Sequence, residues 1–434
     1  MTSSSSDKLR LLVVGSGGRE HALVWKLAQS PLVEKIFCAP GNPGIAQLAT
    51  CVDISSSNIA ALRHFAQEAR IDLTVVGPEI PLVAGIVDEF EAHGLYIFGP
   101  SQQAAMLEGS KAFAKDFMRK YRIPTAEYHV FTEVEAARKH VQSCKIPVVI
   151  KADGLAAGKG AVVAHSRNEA QNALATIMEQ KQFGAAGNRV VIEEFMEGEE
   201  VSVFCLTDGV SICLLPCAQD HKAIYNGDLG PNTGGMGAYS PAPIMHAELL
   251  QRVHRQILQP VIEGMAMEHK PYRGVLYAGL MLTSEGPKVV EFNCRFGDPE
   301  AEAILPLITS DLAEAMWLVA QGDLGDYQLI LSPQWALTVV LASGGYPGAY
   351  ETGKAIHGVP RGEDKYVLAF HAGTQSGPRG KLLTSGGRVL AITGLGDTFQ
   401  QARERAYLAV NRVRFEGEYH RTDIGAKALK HLSS

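Results

Sequence analysis

The stretch EFNCRFGDPE contains three side chains that could hold a metal ion and a phosphoryl group. Glu291 and Asn293 lie two residues apart in a run that predicts a strand, so both side chains share one face, about 7 Å apart along the chain. Their oxygens suit Mg²⁺, which prefers few protein ligands and takes water and phosphate oxygens besides. Arg295 shares this face and could neutralise a transferring phosphoryl group or clamp a carboxylate. The alternative is a structural ion pair, and Cys294, on the other face, is interpreted as packing.

A second stretch, PVVIKADGLAAGKGAVV, could cover phosphates. Lys151 ends an apolar run, and Lys159 lies in a loop that also contains Gly154, Gly158 and Gly160. The spacing is not that of a Walker A loop, and the following AVVAH predicts a strand where a P-loop requires a helix. Small residues would let backbone N–H groups approach anionic oxygens while the lysines supply charge. The pattern fits either a hairpin lid over a triphosphate or a plain surface hairpin.

The stretch GSGGRE after LLVVG predicts a tight glycine turn at a helix N-terminus. Gly15, Gly17 and Gly18 would suit a monophosphate there. NAD is disfavoured, because Glu20 occupies the third glycine position of the dinucleotide fingerprint and the next strand lacks a carboxylate for a ribose diol. Glu79 follows a later strand, where it is either a ribose ligand or a solvated loop carboxylate.

Two polar segments lie between these stretches. The first, VVIEEFMEGEEVSV, is either a solvated acidic face or the edge of an adenosine site, where backbone groups meet adenine and a carboxylate reaches the ribose. The second, residues 219–241, is too long and glycine-rich for a simple connection and could enclose a small polar substrate. Its candidate residues are Asp220, Lys222, Asn232, Thr233, Gly234 and Gly235.

The composition narrows the class of protein. The chain has 434 residues, 46% hydrophobic and 20% charged, with a net charge of -6. Anionic ligands must therefore be held by local lysines and arginines, and we expect small-molecule partners with no nucleic acid and no membrane. We expect a cytoplasmic location, because no secretory h-region or apolar run of about 18 residues is present. The seven cysteines form no CxxC pair, which favours buried thiols over disulfides or zinc.

The order of predicted elements indicates three domains. Strands alternate with helices up to about Pro100, which predicts a doubly wound parallel sheet in residues 1–104. Residues 105–328 contain closely spaced strands with hairpin turns, which predict a largely antiparallel α+β domain, and residues of about 125–193 form its lid. Residues 329–434 read as a small α+β domain. The fold class is thus mixed α/β and α+β.

Eight motifs in order resemble those of the glycinamide ribonucleotide synthetases (phosphoribosylamine-glycine ligases), a family of the ATP-grasp superfamily. They are GSGGREHAL, GPE, GSKAF, IKADGLAAGKG, IEEF, QDHK, GPNTGGMGAYSP and EFNCRFGDPE. SGGYPG, FHAGT, GGRVL and DIG extend the resemblance through the last region. It implies a pre-ATP-grasp N-terminal domain, a two-lobed ATP-grasp domain that grips the triphosphate, and a small C-terminal domain.

The resemblance also implies a reaction. ATP, glycine and 5-phosphoribosylamine would give glycinamide ribonucleotide, ADP and phosphate through glycyl phosphate, with Mg²⁺ or Mn²⁺ and a transient handover of the amine from the preceding purine-pathway enzyme. The implied roles are Lys111, Lys151, Gly154, Gly158, Lys159 and Gly160 at the phosphates; Glu193, Glu194, Met196 and Glu200 at the nucleoside; Glu291 and Asn293 at the metal; Arg295, Lys151 and Asp298 in catalysis; Gly15, Gly17, Gly18 and Glu79 at the phosphoribosyl group; and Asp220, Lys222, Asn232, Thr233, Gly234 and Gly235 at a substrate, with Asp220 and Asp298 as candidates for the glycine ammonium.

Two residues differ from the family pattern, and three other functions are alternatives to this interpretation. Leu229 and Glu302 stand where family members commonly have Thr and Gln, which affects fine substrate contacts more than the reaction class. Carboxyaminoimidazole ribonucleotide synthetase would share the lid and metal site, but GPNTGGMG and QDHK favour the ligase. A nicotinamide-dependent oxidoreductase is opposed by Glu20. A noncatalytic nucleotide-binding regulator is opposed by the intact set of Lys151, Glu291 and Asn293.

Overall fold

The computed structural model describes residues 8–156 and 160–432. The predictions for Gly158 and Lys159 therefore lie outside the described residues. Within these ranges the strands form four sheets of at least four strands and two short hairpins, Ala223–Tyr225 with Leu229–Asn232 and Thr374–Ser376 with Leu382–Thr384.

The N-terminal sheet is parallel throughout, as the alternation of strands and helices predicted. Its strands lie in the order Thr50–Cys51, Val33–Pro40, Leu9–Gly15, Leu73–Val76 and Ile97–Phe98. Its helices are Gly18–Leu27, Ile59–Glu68, Glu79–Val83 and Ile86–Glu91. In the central strand, Leu12 and Val14 share a core with Leu62 and Phe90, whereas Val13 packs in a second core with helix Gly18–Leu27. Both faces are therefore covered, and the carboxyl ends of the strands are free to meet a ligand.

The lid sheet is antiparallel and contains the glycine-rich stretch. Its strands lie in the order Tyr128–Phe131, Val190–Glu194, Val148–Ala152 and Ala161–Ala164. Helices Val134–Ser143 and Arg167–Leu174 pack on one face. Because Ala161–Ala164 is a strand, the glycine loop joins a hairpin and does not begin a helix, which confirms that the stretch is no P-loop.

The base sheet is also antiparallel, as the hairpin turns predicted. Its strands lie in the order Ile212–Leu214, Glu199–Thr207, Gly274–Thr283 and Gly286–Asn293. Its helices are Met106–Gly109, Lys111–Lys120, Ala247–Val253, Gln259–Met267, Glu300–Ile304 and Leu312–Gln321. Lys151 of the lid sheet donates a hydrogen bond to the Val290 carbonyl oxygen (3.1 Å), so the two sheets meet directly.

The C-terminal sheet includes strands from the segment interpreted as a substrate loop. Its strands lie in the order Gln219–Asp220, Gly237–Ser240, Trp335–Ser343, Arg388–Gly396 and Val367–His371, with Glu418–Tyr419 beside Trp335–Ser343. Helices Phe399–Val410 and Ala426–Leu432 complete this region. The pairing of residues 237–240 with 336–339 ties the loop to the C-terminal region, while the domain boundaries after residues 104 and 328 stay predictions. Every helix within residues 8–156 and 160–432 is too short or too polar to cross a bilayer.

Candidate active site

A cavity of about 450 Å³ lies where all four sheets approach one another, a volume typical of small-molecule sites. Val149 of the lid sheet, Phe292 of the base sheet, Pro78 after an N-terminal strand and Arg388 of the C-terminal sheet line it. Its walls also contain most of the predicted site residues, namely Glu79, Lys111, Lys151, Gly154, Gly160, Glu193, Glu194, Met196, Glu200, Asp220, Lys222, Asn232, Thr233, Gly234, Glu291, Asn293, Arg295 and Asp298. Gly15, Gly17, Gly18 and Gly235 are not among its lining residues.

Two lysines hold one glutamate at the nucleotide end of this cavity. Lys151 and Lys115 each place Nζ 2.9 Å from Glu193 Oε2, and Glu193 is only 2% exposed. Burial opposes the charge of Glu193, but the two ammonium groups hold its pKa below the usual value. Burial also lowers the pKa of Lys115 to about 8. Glu193 Oε1 is buried and has no hydrogen-bond partner among the described residues, so one acceptor of this cavity-lining carboxylate is left unsatisfied. Lys115, one helical turn after Lys111, was not predicted.

The candidate metal ligands lie where strand alternation placed them. Glu291 stands opposite Gly279 and Asn293 opposite Tyr277, and both line the cavity, whereas Phe292 between them packs in the core and also reaches the cavity wall. Burial opposes ionisation of Glu291, but Lys111 and Lys222 lower its pKa to about 2. No group of three or more His, Cys, Asp or Glu side chains in the described part of the chain could hold a metal ion. An ion bound by this carboxylate and amide would take its other ligands from outside the protein.

Carboxylates from two other elements fix Arg295. Its Nη2 atom lies 3.0 Å from Glu108 Oε1, and its Nε atom lies 3.4 Å from Glu79 Oε2. Burial opposes the charge, but Glu108 and Glu79 raise the pKa of Arg295 above its ordinary value. Arg295 therefore forms its ion pairs with these residues and not with Glu291, and it stays in the cavity wall as a fixed cation. Glu108 was not predicted, since nothing local in the sequence relates it to Arg295.

Acidic groups surround the base of the substrate loop. Burial raises the pKa of Asp220 to about 7, and Glu300 and Glu200 add to the rise while Lys222 opposes it. Lys222 pairs with Glu200. Glu300 accepts hydrogen bonds from the Tyr277 hydroxyl (2.6 Å) and the Ser202 hydroxyl (3.2 Å) and also lines the cavity. Asp220 thus lines a polar part of the cavity, while its role at a substrate stays a prediction. Glu300 is a further carboxylate that the sequence did not single out.

The loop that carries Thr233, Gly234 and Gly235 folds tightly over this pocket. Gly235 has a φ of +115°, and a Cβ atom there would lie 2.4 Å from Pro299 Cδ, so glycine is required. Arg388 lies within the GGRVL motif and was not predicted as a site residue. It reaches this loop from the C-terminal sheet and forms an ion pair with Asp298 (3.0 Å).

The N-terminal glycine turn already contains a carboxylate. Gly17 N–H donates to Glu20 Oε2 (2.6 Å), so Glu20 occupies the helix N-terminus that was predicted to take a phosphate. Gly15 has a φ of +127°, and a Cβ atom at Gly18 would lie 2.3 Å from Glu302 Oε1. The phosphate role of these three glycines stays a prediction.

Comparisons with known proteins agree over nearly the whole chain. Models of the phosphoribosylglycinamide synthetase family match as the N domain at residues 9–108, the ATP-grasp (A) domain at 109–301 and the C domain at 336–427. The chain is 51% identical over 425 residues to phosphoribosylamine-glycine ligase of Salmonella typhimurium, covering 97% of this chain and 99% of the relative. It is 50% identical over 418 residues to the enzyme of that name from Caldanaerobacter subterraneus, covering 96% and 100%.

Solved structures are similar to this chain over most of its length. The crystal structure of phosphoribosylamine-glycine ligase from Thermotoga maritima matches with a TM-score of 0.85 and 34% identity, covering 96% of this chain and 100% of that one. A biotin carboxylase complex with beta-gamma-ATP from Campylobacter jejuni matches with a TM-score of 0.74 and 15% identity, covering 99% and 96%, which shows the fold alone. With three domain models in order and half of its residues identical to full-length relatives, the chain belongs to the phosphoribosylglycinamide synthetase family.

Proposed function

We propose that this chain uses ATP to join glycine to 5-phosphoribosylamine, giving glycinamide ribonucleotide, ADP and phosphate in purine biosynthesis. The observation that carries the proposal is one cavity lined by three kinds of groups. They are a carboxylate beside an amide, several cations, and a cluster of acidic side chains at the substrate loop. Full-length identity of 51% to a phosphoribosylamine-glycine ligase supports this specific reaction. Bicarbonate is the competing acid to test, since the biotin carboxylase domain of a 2-oxoglutarate carboxylase, solved with MgADP and bicarbonate, shares the fold.

The residues present fit ATP and Mg²⁺ or Mn²⁺. Glu291 is ionised at neutral pH because Lys111 and Lys222 hold its pKa at about 2, against the opposing effect of burial, and Asn293 supplies an amide oxygen beside it. When bound to these two residues, the metal ion would neutralise charge on the phosphate oxygens. Glu193 Oε1 is a buried acceptor without a partner among the described residues, and it would suit the exocyclic amino group of adenine, which guanine does not present at that position.

The charged side chains of the cavity support acyl transfer through glycyl phosphate. A carboxylate is a poor electrophile, and phosphorylation gives it a leaving group that the amine can displace. Lys111 and Lys151 would neutralise the ATP phosphates, and Arg295 would stabilise the migrating phosphoryl group from the position that Glu79 and Glu108 fix. The lid sheet and the loop containing Gly234 would exclude water from the intermediate.

Asp220 would bind the glycine ammonium. It lines the cavity on the segment that also carries Lys222, and its carboxyl group donates or accepts no hydrogen bond among the described residues. Handover of the amine from the preceding enzyme and a cytoplasmic location stay predictions of this proposal.

The test is ADP release from Mg-ATP with freshly generated phosphoribosylamine, comparing glycine with alanine, serine and bicarbonate. We expect release that requires both glycine and the amine. Release with bicarbonate, or none with glycine, would overturn the proposed substrates while leaving an ATP-grasp fold.

A further inference from the structure

Arg388 is a cation that enters the cavity from the C-terminal sheet. It begins strand Arg388–Gly396 and lines the same cavity as Lys151 and Glu291. Its Nη1 atom donates hydrogen bonds to the carbonyl oxygens of Gly234 (2.6 Å) and Asp298 (2.7 Å), and it lies 3.0 Å from Asp298 Oδ1. These contacts reach 154 and 90 residues along the chain, so they join the C-terminal region to the substrate loop and to EFNCRFGDPE.

The position of the guanidinium plane is fixed, and one of its edges is unused. A Cβ atom at Gly234 would lie 2.8 Å from Cζ, 2.9 Å from Nη2 and 3.1 Å from Nε of Arg388, so the plane packs directly on this glycine. All hydrogen bonds that the Arg388 side chain donates within the described residues use Nη1. The Nε and Nη2 donors therefore remain available on a side chain that lines the cavity.

The charge of Arg388 is maintained. Burial opposes the positive charge, but the carboxylate of Asp298 raises the pKa of Arg388 above its ordinary value. The planar Nε–Nη2 edge of an arginine matches the two oxygens of a carboxylate or phosphate, which lysine cannot match in the same way. Asp298 uses Oδ1 in this pair, and Oδ2 donates or accepts no hydrogen bond within the described residues. The pair thus presents an open cationic edge beside an open anionic oxygen, an arrangement that complements an amino-acid zwitterion.

We propose that the Nε–Nη2 edge of Arg388 binds an oxyanion of a substrate, and that Arg388 is thereby a substrate-binding residue supplied by the C-terminal domain. This inference rests on the proposed function. The carboxylate of glycine is the expected ligand, because the Asp298 oxygen beside Arg388 would accept from the glycine ammonium together with Asp220. The phosphate of phosphoribosylamine has the same recognition chemistry and is distinguished below.

The test compares Arg388→Met and Arg388→Lys with a matched control, Arg405→Met. Arg405 also donates to a backbone carbonyl in the C-terminal region, that of Leu395 (2.6 Å), but it does not line the cavity. KM values for glycine, phosphoribosylamine and ATP are measured for each, together with kcat, the thermal melt and calorimetric binding of glycine. We expect Arg388→Met to raise the KM for glycine by about tenfold or more with an ATP KM within about twofold of wild type. Arg388→Lys should fall between, because it keeps the charge and loses the fork.

The other outcomes either identify a different oxyanion as the ligand of Arg388 or overturn one of the two proposals. A selective rise in the KM for phosphoribosylamine would support the same edge with the phosphate as its ligand. If both of these KM values stay near wild type, whether or not the melt falls, or if all three KM values rise equally, Arg388 does not bind a substrate oxyanion and the proposal is overturned. A wild-type enzyme without glycine-dependent ADP release would sink the proposed function instead, and glycine calorimetry on wild type and Arg388→Lys would still decide whether Arg388 binds the amino acid.

Discussion

Glu302 is a carboxyl group enclosed completely between the N-terminal glycine turn and the C-terminal sheet. It is 0% exposed, and neither Oε1 nor Oε2 has a hydrogen-bond partner among the described residues. Burial, reinforced by Asp298, raises the pKa of Glu302 well above its ordinary value, so the folded protein favours the protonated form. The motif resemblance leads us to expect a glutamine at this position in family members, and a protonated carboxyl group is likewise neutral.

We predict that Glu302→Gln stabilises the protein increasingly as pH rises. For a carboxyl group with a raised folded pKa, the folded state binds more protons, so its stability contribution is complete below the unfolded pKa of about 4.3 and is lost as pH rises toward the folded pKa. Each pH unit in that window costs about 1.4 kcal/mol, which the amide avoids. Thermal melts at about pH 5.5 and 8 measure the difference, with exposed Glu34→Gln as control. A gap that does not widen with pH would show that Glu302 is not held neutral.

The pH dependence of glycine use should follow Asp220. Only the ionised carboxylate attracts an ammonium group, and burial raises the pKa of Asp220 to about 7. We predict that kcat/KM for glycine falls as pH decreases through about 7, because this ratio reports the free enzyme. Asp220→Asn should lower kcat/KM for glycine and remove this inflection while the ATP KM changes little. An unchanged inflection in the variant would assign it to another group.

At the scale of elements, Asp153 connects the lid sheet to the helix that begins at Lys111. Its Oδ1 atom accepts from the Ser110 hydroxyl (2.9 Å) and from Ala112 N–H (3.0 Å), and Arg189 pairs with the other oxygen. Ser110 itself caps the helix by accepting from Phe113 N–H (3.1 Å). The strand that ends in Ala152 therefore sets the position of Lys111 in the cavity wall.

We predict that Asp153→Ala raises the KM for ATP several-fold more than it lowers kcat. Without Asp153, the N-terminus of the helix that carries Lys111 is no longer held against the lid sheet. The loss of cap interactions should cost about 1–2 kcal/mol in stability. The control is Ser166→Ala, which removes a comparable cap from helix Arg167–Leu174, where Ser166 accepts from Glu169 N–H (3.2 Å). Equal changes in ATP KM for both variants would count against a specific link between Asp153 and Lys111.

At the scale of the whole molecule, the cavity is formed by residues from every region of the chain, so a ligand there should stabilise the entire fold. We predict that Mg-ATP raises the thermal melt and that each tenfold increase in its concentration above Kd adds about 1.4 kcal/mol. Glu291→Ala should remove activity and the magnesium-dependent part of this shift while the ligand-free melt stays nearly unchanged. A collapsed ligand-free melt would instead indicate that Glu291 has a structural role.

The sequence by itself determined the elements and the part of the site that lies within one element. Alternation placed Glu291 and Asn293 on one face of a strand, and AVVA after the glycine loop excluded a P-loop; both follow from the two-residue period of a strand. The order of motifs determined the family, because such motifs are read without knowing their distances in space.

The tertiary structure alone decided the partners of these residues. Arg295 forms an ion pair with Glu79, which lies 216 residues earlier in the chain, and Arg388 contacts Asp298, which lies 90 residues earlier. The burial of Glu302 depends on packing between the N-terminal turn and the C-terminal sheet. Strand Gly237–Ser240 forms because strand Trp335–Ser343 offers it an edge, and Gln219–Asp220 then pairs with Gly237–Ser240. Local patterns set which face a side chain occupies, but long-range contacts set what that face meets, and these contacts form only when the chain folds.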